Sequence, residues 1–254
     1  MQISLREYVA AVLVSCGLMG APACAGEVRV AAASDLAAPM ERIAALFQKE
    51  SGHMLKVSLG ASGKLYAQIK AGAAFDVFLS GDEDQPKLLL QDGLAVGGSR
   101  FVYATGRLVL WSAQPGLVDD KGTVLNRGNF NRLAIANPRF SPYGVAAKET
   151  LGKLIMWNSI QGKLDRSDDL IQTYELAATE KADLAFIALS QVMRDGKVAD
   201  GSWWLVPAEM HRPIHQSAVL LSGARDQAAA KDFLDFIRSK KAIAVMRGYG
   251  YEAP

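Results

Sequence analysis

The stretch VAAASDLAAPMER, residues 30–42, decides how the chain is read. An apolar, strand-like run stops at Ser34, and from Leu36 onward apolar residues recur at helical spacing: Leu36, Met40, Ile43, Ala44 and Phe47. A strand hands over to a helix within two residues, at a serine. A serine or aspartate at such a junction is ordinarily an N-cap, its side-chain oxygen accepting one of the free N–H groups of the first turn. Taken alone, the junction says no more than that. It recurs, however, at Gly60-Ala61-Ser62-Gly63-Lys64 and at Ser141-Pro142-Tyr143-Gly144, where the proline suits a first helical position.

Working outward, the pattern predicts a strand over 28–33, a helix over 36–49, a strand over 55–59, a helix over 64–71, a strand over 76–80 and a short helix over 85–91. This β-α-β-α order calls for a parallel sheet with helices on both faces. Extended segments follow at 101–105 and 108–112, then a loop rich in Gly, Asp and Asn at 116–131. Beyond it the pattern gives a strand over 133–137, helices over 143–156 and 168–179, a strand over 184–189 and a helical turn over 190–195. A strand over 214–222 and helices over 226–239 and 242–247 close the chain. Two α/β lobes fit this better than one sheet, with changes of lobe near Gly106 and Pro213. The expected division is a leader over 1–25, a discontinuous first lobe over 26–105 and 214–254, and a second lobe over 106–213.

The leader has Arg6 at its start, a short apolar core over 9–19 and an Ala23-Cys24-Ala25 cleavage motif, which together read as a secretory signal peptide. Leu13-Val14-Ser15-Cys16 is the rival, a lipoprotein signal with Cys16 as the lipidated residue. Both cysteines of the chain, Cys16 and Cys24, lie in this segment, so the mature chain is expected to hold no disulfide and no thiol ligand or nucleophile. Export to the periplasm follows. After residue 25 no apolar run approaches the roughly 20 residues of a membrane span. The formal charge is only +2, and loss of Arg6 and Glu7 leaves it unchanged, which argues against nucleic acid or an anionic membrane as partner. Half the residues are apolar, enough for one large or two modest cores.

The start of a helix presents unpaired N–H groups and a partial positive charge, so it attracts anions. In open α/β sheets such junctions gather at the carboxyl ends of the strands. Two or three converging on one cleft would surround a small oxyanion with neutral donors, without need of lysine or arginine. Gly60–Leu65 is not a nucleotide-binding loop: Ser58 stands where the first glycine of that motif belongs, and Leu65 replaces the hydroxyl residue after the lysine. Lys64 is read as a solvated residue at a helix start.

The stretches AAASDL, GASGKLYAQIKAGAAFDVFLSGDE, GSRFVYATGRLVLWS, ANPRFSPYG and ADLAFIALSQV, in this order across the whole mature chain, resemble the periplasmic molybdate-binding proteins of ABC transporters. The resemblance implies a two-lobed class II periplasmic binding protein, each lobe a mostly parallel sheet flanked by helices, with the ligand in the cleft between them. It implies capture of molybdate or tungstate by hydroxyl and backbone N–H donors, with no cofactor and no directly coordinated metal. It also implies delivery to an ABC transporter permease in the inner membrane, by a protein expected to be a monomer. Ser34 and Ser62 fall where the family places hydroxyl ligands, with the amide of Asp35 beside Ser34. Tyr143 and Leu170 fall at backbone contacts of the second lobe. Two positions depart from the pattern. Ala188 stands where some members carry a tyrosine hydroxyl, and Asp35 replaces a neutral residue. A carboxylate beside a dianion costs Coulomb energy, so Asp35 is expected to point away and cap its own helix.

An enzyme needs a nucleophile, a base or a metal cluster. His53, His211 and His215 form no evident cluster, no G-x-S-x-G or H-E-x-x-H is present, and Asp168-Asp169 and Asp82-Glu83-Asp84 read as helix-start or loop acids. Trp203-Trp204 reads as packing, buried or half-buried. No enzymatic activity is expected. The alternatives are a binding protein for sulfate, phosphate or a small carboxylate, or an adhesin or receptor of the same fold.

Overall fold

A computed structural model describes residues 26–253. The expected signal segment, with its cleavage motif, Cys16 and Cys24, lies outside the described residues. Among those described, no helix is long and apolar enough to cross a membrane.

The first sheet has the order β2-β1-β3-β12-β4, built from β1 (Glu27–Ala33), β2 (Met54–Gly60), β3 (Val77–Ser80), β4 (Phe101–Gly106) and β12 (Ile214–Leu220). The second has the order β11-β5-β8-β6-β7, from β5 (Leu108–Ser112), β6 (Leu133–Ala136), β7 (Leu164–Ser167), β8 (Leu184–Ala188) and β11 (Ser202–Leu205). A small hairpin, β9 (Met193–Arg194) with β10 (Lys197–Val198), stands apart. In each sheet the inner β-α-β strands pair in parallel, as their alternation with helices predicts, and the strands that carry the chain across between lobes pair antiparallel. The chain crosses between the sheets at Gly106–Leu108, where β4 runs straight into β5, and again between β11 and β12.

Alternation along the strands sends side chains to two faces. Val28, Val30 and Ala32 of β1 face the side packed by α1 (Ala37–Ser51), α8 (Gln227–Ile237) and α9 (Lys240–Gly248), around Phe47, Phe233 and Met246. Ala31 and Phe78 face the other side, against α2 (Ser62–Lys70) and α3 (Asp84–Gln91) through Leu65, Ile69 and Leu89. The second sheet is covered alike: α5 (Pro142–Lys153) packs Ala146, Ala147 and Leu151 on one face, and α6 (Leu170–Ala178) brings Ala177 to the other. Within the first lobe Asp76 is almost fully buried and receives the Arg29 guanidinium in a two-pronged pair at 2.5 and 3.0 Å, together with the backbone N–H groups of Arg29 and Arg225.

Register sets the site. Ala33 pairs with Gly60, so β1 and β2 end level and release Ser34 and Ser62 side by side. Ala136 pairs with Ser167 in the second sheet, so β6 and β7 also end level, and α5 and α6 start from that edge. Both edges are carboxyl ends of parallel strands. They face each other across the seam between the lobes.

Candidate functional site

The first correction concerns Ser34 and Asp35. A 3-10 turn (Ser34–Leu36) precedes α1, and neither it nor α1 carries a side-chain cap. The Ser34 hydroxyl instead reaches across the seam, where its Oγ accepts the Leu170 N–H at 3.3 Å. Asp35 does not cap its helix. Its carboxylate turns inward and accepts from the hydroxyls of Tyr251 (2.6 Å) and Tyr143 (3.3 Å) and from Gln216 Nε2. Ala33, not Asp35, stands at the N-cap of the turn, and three donors converging on one oxygen offer the carboxylate more than a free N–H would. Ser190 Oγ donates to the Asp35 carbonyl at 2.8 Å, and Tyr103 holds Gln216 from behind, its hydroxyl donating to Oε1 at 2.7 Å. Tyr143 and Ser190 belong to the second lobe, and the remaining partners to the first, so this network spans the seam.

Burial pushes the Asp35 carboxyl above the usual carboxylate range, while the bonds from Tyr251, Gln216 and Tyr143 pull it back. Burial and the neighbouring carboxylate drive the Tyr103, Tyr143 and Tyr251 hydroxyls well above their ordinary value. These phenols therefore stay protonated and act as donors.

Ser62 opens α2 at 1 % exposure, and its Oγ accepts the Gly81 N–H at 2.9 Å. Ser34 is 3 % exposed. In both serines a backbone N–H occupies an acceptor position, which leaves the hydroxyl hydrogen free to donate. Ser141 caps α5, Pro142 takes its first position, and the N–H of Tyr143 follows in the first turn, where no intrahelical acceptor exists. Leu170 opens α6 behind an Asp169 cap that accepts from Gln172 N at 3.1 Å. The structure thus brings Ser34, Asp35, Ser62, Tyr143 and Leu170 to one seam, with neutral donors arriving from both lobes.

The seam is shut by direct contacts. Gly63 N donates to Phe140 O at 2.9 Å, and Lys64 Nζ lies 2.8 Å from Asp168 Oδ2. Lys64 is thus a partly exposed bridge between lobes rather than a free solvated residue. Arg42 pairs with Asp195, again across the seam, at 2.8 Å. A cavity of about 280 Å³ opens beside the site, lined among others by Asp82, Arg139, Phe140, Pro142 and His215. Gly106, at a crossing, leaves no room for a side chain unless Tyr143 shifts: a Cβ there would stand 2.1 Å from the Tyr143 hydroxyl oxygen.

Other singled-out residues fall elsewhere. Ala188 ends β8, its N–H held by Gln191 Oε1, and the hydroxyls around Asp35 come from tyrosines of other elements. His53 accepts from Gly26, His215 lies against Thr105, and His211 is buried with Nε2 unpartnered. Among the described residues no three His, Cys, Asp or Glu side chains group as metal ligands. Trp204 is buried as expected, but Trp203 is 38 % exposed because β11 turns alternate residues outward. Sequence reasoning missed Gln216, Tyr251, Tyr103 and Ser190. They are scattered along the chain from position 103 to 251 with no shared motif, and only Tyr103 and Ser190 lay in quoted stretches.

Two α/β lobes joined by two crossings, with helix-start donors meeting in the seam, define a two-lobed periplasmic binding protein. The chain belongs to the bacterial extracellular solute-binding proteins, whose family model matches residues 28–252. It is 45 % identical over 251 residues to the molybdate-binding protein ModA of Azotobacter vinelandii, covering 99 % of each chain. It is also 45 % identical to the molybdate-binding protein ModA of Rhodobacter capsulatus, over 98 % of this chain and 96 % of that one. A solved Azotobacter vinelandii periplasmic molybdate-binding protein superposes with a TM-score of 0.87 at 38 % identity, covering 89 % of this chain and 99 % of the other.

Proposed function

We propose that the protein captures molybdate, and tungstate with it, in the seam between its lobes and delivers it to an ABC transporter permease from the periplasm, acting as a monomer and not as an enzyme. The observation that carries this reading is the convergence of neutral donors from both lobes: the Ser34 and Ser62 hydroxyls with the helix-start amides near Asp35, Tyr143 and Leu170. The identity to two proteins named for molybdate binding supports the choice of anion. An oxyanion is a stronger acceptor than a serine hydroxyl, so it takes over the Leu170 N–H that Ser34 otherwise receives at 3.3 Å. Neutral donors are enough to hold a dianion in a site closed from water, where each bond to charge is worth about 1.5–3 kcal/mol.

Selectivity follows from what the seam offers at those positions. Hydrogenphosphate carries a proton and needs an acceptor, and Asp35, the carboxylate next to Ser34, is already taken by three donors. Sulfate presents no proton but is smaller, so donors spaced for the larger tetrahedron hold it less well. A thermal-shift series tests this: molybdate and tungstate at equal concentration should raise the unfolding midpoint, and sulfate and phosphate should not. Stabilisation by sulfate or phosphate equal to that by molybdate would reject the assignment.

A further inference from the structure

Asp35 and Tyr143 meet twice in the seam. Their main-chain N–H groups belong to helix starts of opposite lobes, after β1 and after β6. Their side chains bond to each other, the Tyr143 hydroxyl donating to Asp35 Oδ2 at 3.3 Å. Gln216 Nε2 donates to both, to the carboxylate and, at 3.2 Å, to the phenol oxygen. Gln216 lies on β12, just past the second crossing, where β12 shifts register against β4 between Gln216 and Ser217. An irregularity of this kind re-aims a side chain. Tyr103 then fixes the amide by donating to its Oε1 at 2.7 Å. At the first crossing, Gly106 lies so close to the same phenol that a Cβ would collide with it. The Tyr143 hydroxyl is thus lodged between the two crossings. Ser190 Oγ adds another bond between lobes, to the Asp35 carbonyl at 2.8 Å. Asp35, Tyr143, Ser190 and Gln216 are all buried, and a low local dielectric strengthens each bond among them.

We propose that Asp35 and Tyr143 are positioning residues: their side chains clasp the lobes at the crossings, so that the main-chain donors of the same two residues stand at a fixed spacing across the seam before an anion arrives. This rests on the reading of the seam as an oxyanion site, but the clasp is made of the protein's own groups and does not depend on which anion is held. Donors fixed in advance lose less to ordering when they bind. The clasp has a kinetic consequence as well. Ser34, Ser62 and Leu170 are each buried, so an anion reaches them only when the lobes part. Parting breaks the Tyr143–Asp35 and Ser190–Asp35 bonds, and the clasp therefore slows both entry and release.

Tyr143→Phe tests this, because it deletes the hydroxyl while keeping the ring, the N–H and every donor assigned to the anion. In anion-free protein, small-angle X-ray scattering should give the variant a larger radius of gyration than wild type, with circular dichroism unchanged. Stopped-flow tryptophan fluorescence with molybdate should show both rate constants raised, dissociation by about tenfold or more, the scale of one lost bond to a charged group, and association by less. Ser190→Ala removes the other bond between lobes and should act in the same direction. Ser62→Ala supplies the contrast: its Oγ bonds Gly81 within the first lobe, so its loss should raise dissociation alone and leave the anion-free scattering as it was. Wild-type scattering and wild-type rate constants in Tyr143→Phe would overturn the proposal. So would a Tyr143→Phe protein that scatters like wild type and speeds only dissociation, the mark of an ordinary lost contact. A wild type that binds none of the oxyanions would defeat the proposed function instead, and the anion-free scattering would still decide the clasp.

Discussion

Replacing Leu170 by proline separates a main-chain contact from a side-chain contact. Leu170 is the first residue of α6, and its N–H crosses to Ser34 Oγ at 3.3 Å. Proline is accepted at a first helical position, and the residue before it must be extended. Asp169 already is, with φ −156° and ψ −178°, and its cap on Gln172 does not involve position 170. Proline therefore deletes one donor to the bound oxyanion with the helix start intact. A hydrogen bond to a charged group is worth about 1.5–3 kcal/mol, so Kd for molybdate should rise about 10- to 150-fold. The ring carbon also occupies the place of the amide hydrogen, against Ser34, so this range is a lower bound. The leucine side chain is itself 1 % exposed, and its truncation costs roughly 2–5 kcal/mol of stability. Leu170→Ala carries that same packing loss with the N–H retained. Calorimetric titration of both variants, with circular dichroism to confirm folding, should show the proline variant weakened and the alanine variant near wild type. Equal affinity losses in the two folded proteins would refute the amide contact.

Ser34→Ala and Ser62→Ala should each weaken molybdate binding by about 1.5–3 kcal/mol, read by the same titration; wild-type affinity in both would leave the hydroxyls without a binding role. Gly106→Ala drives a methyl group onto the Tyr143 hydroxyl and should cost about 1–3 kcal/mol of stability, with Tyr143→Phe in the same chain recovering part of it in thermal unfolding. Burial alone would raise the Asp76 carboxyl, but the Arg29 guanidinium and the N–H groups of Arg29 and Arg225 outweigh it and hold it below its ordinary value. A depressed carboxyl lends stability that is present above its unfolded value, near pH 4, and disappears as pH falls through the folded one. Asp76→Asn should thus cost about 3–5 kcal/mol at pH 7, leaving Arg29 buried without its partner, and should flatten the loss of stability below about pH 4 in acid unfolding curves.

How far the fold could be read depended on how regular each part was. The pattern over residues 28–91, strand–helix–strand–helix, matched β1 to α3 within a few residues because each apolar run is bounded by a hydroxyl or glycine junction. The strand β7 was not legible: its four residues, LDRS, lie at a sheet edge and alternate with polar groups. The strand β11 hid behind its tryptophan pair, and α4 (Val124–Arg127) is one turn inside a Gly- and Asn-rich loop. Helix α5 was expected to run to residue 156, yet it stops at Lys153, and Ile155 takes a left-handed φ of 59° that no local residue signals. At the seam, the junction grammar singled out the stretches holding Ser34, Ser62 and Tyr143 because it follows from chain direction at strand ends, while Leu170 came only from the family resemblance. The inward turn of Asp35 was not readable, since its partners Tyr143, Gln216 and Tyr251 come from positions 108, 181 and 216 residues away.

The central claim is that the seam holds a tetrahedral molybdenum or tungsten oxyanion through neutral donors. Calorimetric titration of the mature protein with molybdate, tungstate, sulfate and phosphate at one pH and ionic strength tests it most directly. The account expects one molybdate or tungstate per chain, bound tightly and with similar affinity, and sulfate and phosphate bound orders of magnitude more weakly. Sulfate or phosphate binding as tightly as molybdate, or no heat with any of the four, would contradict it.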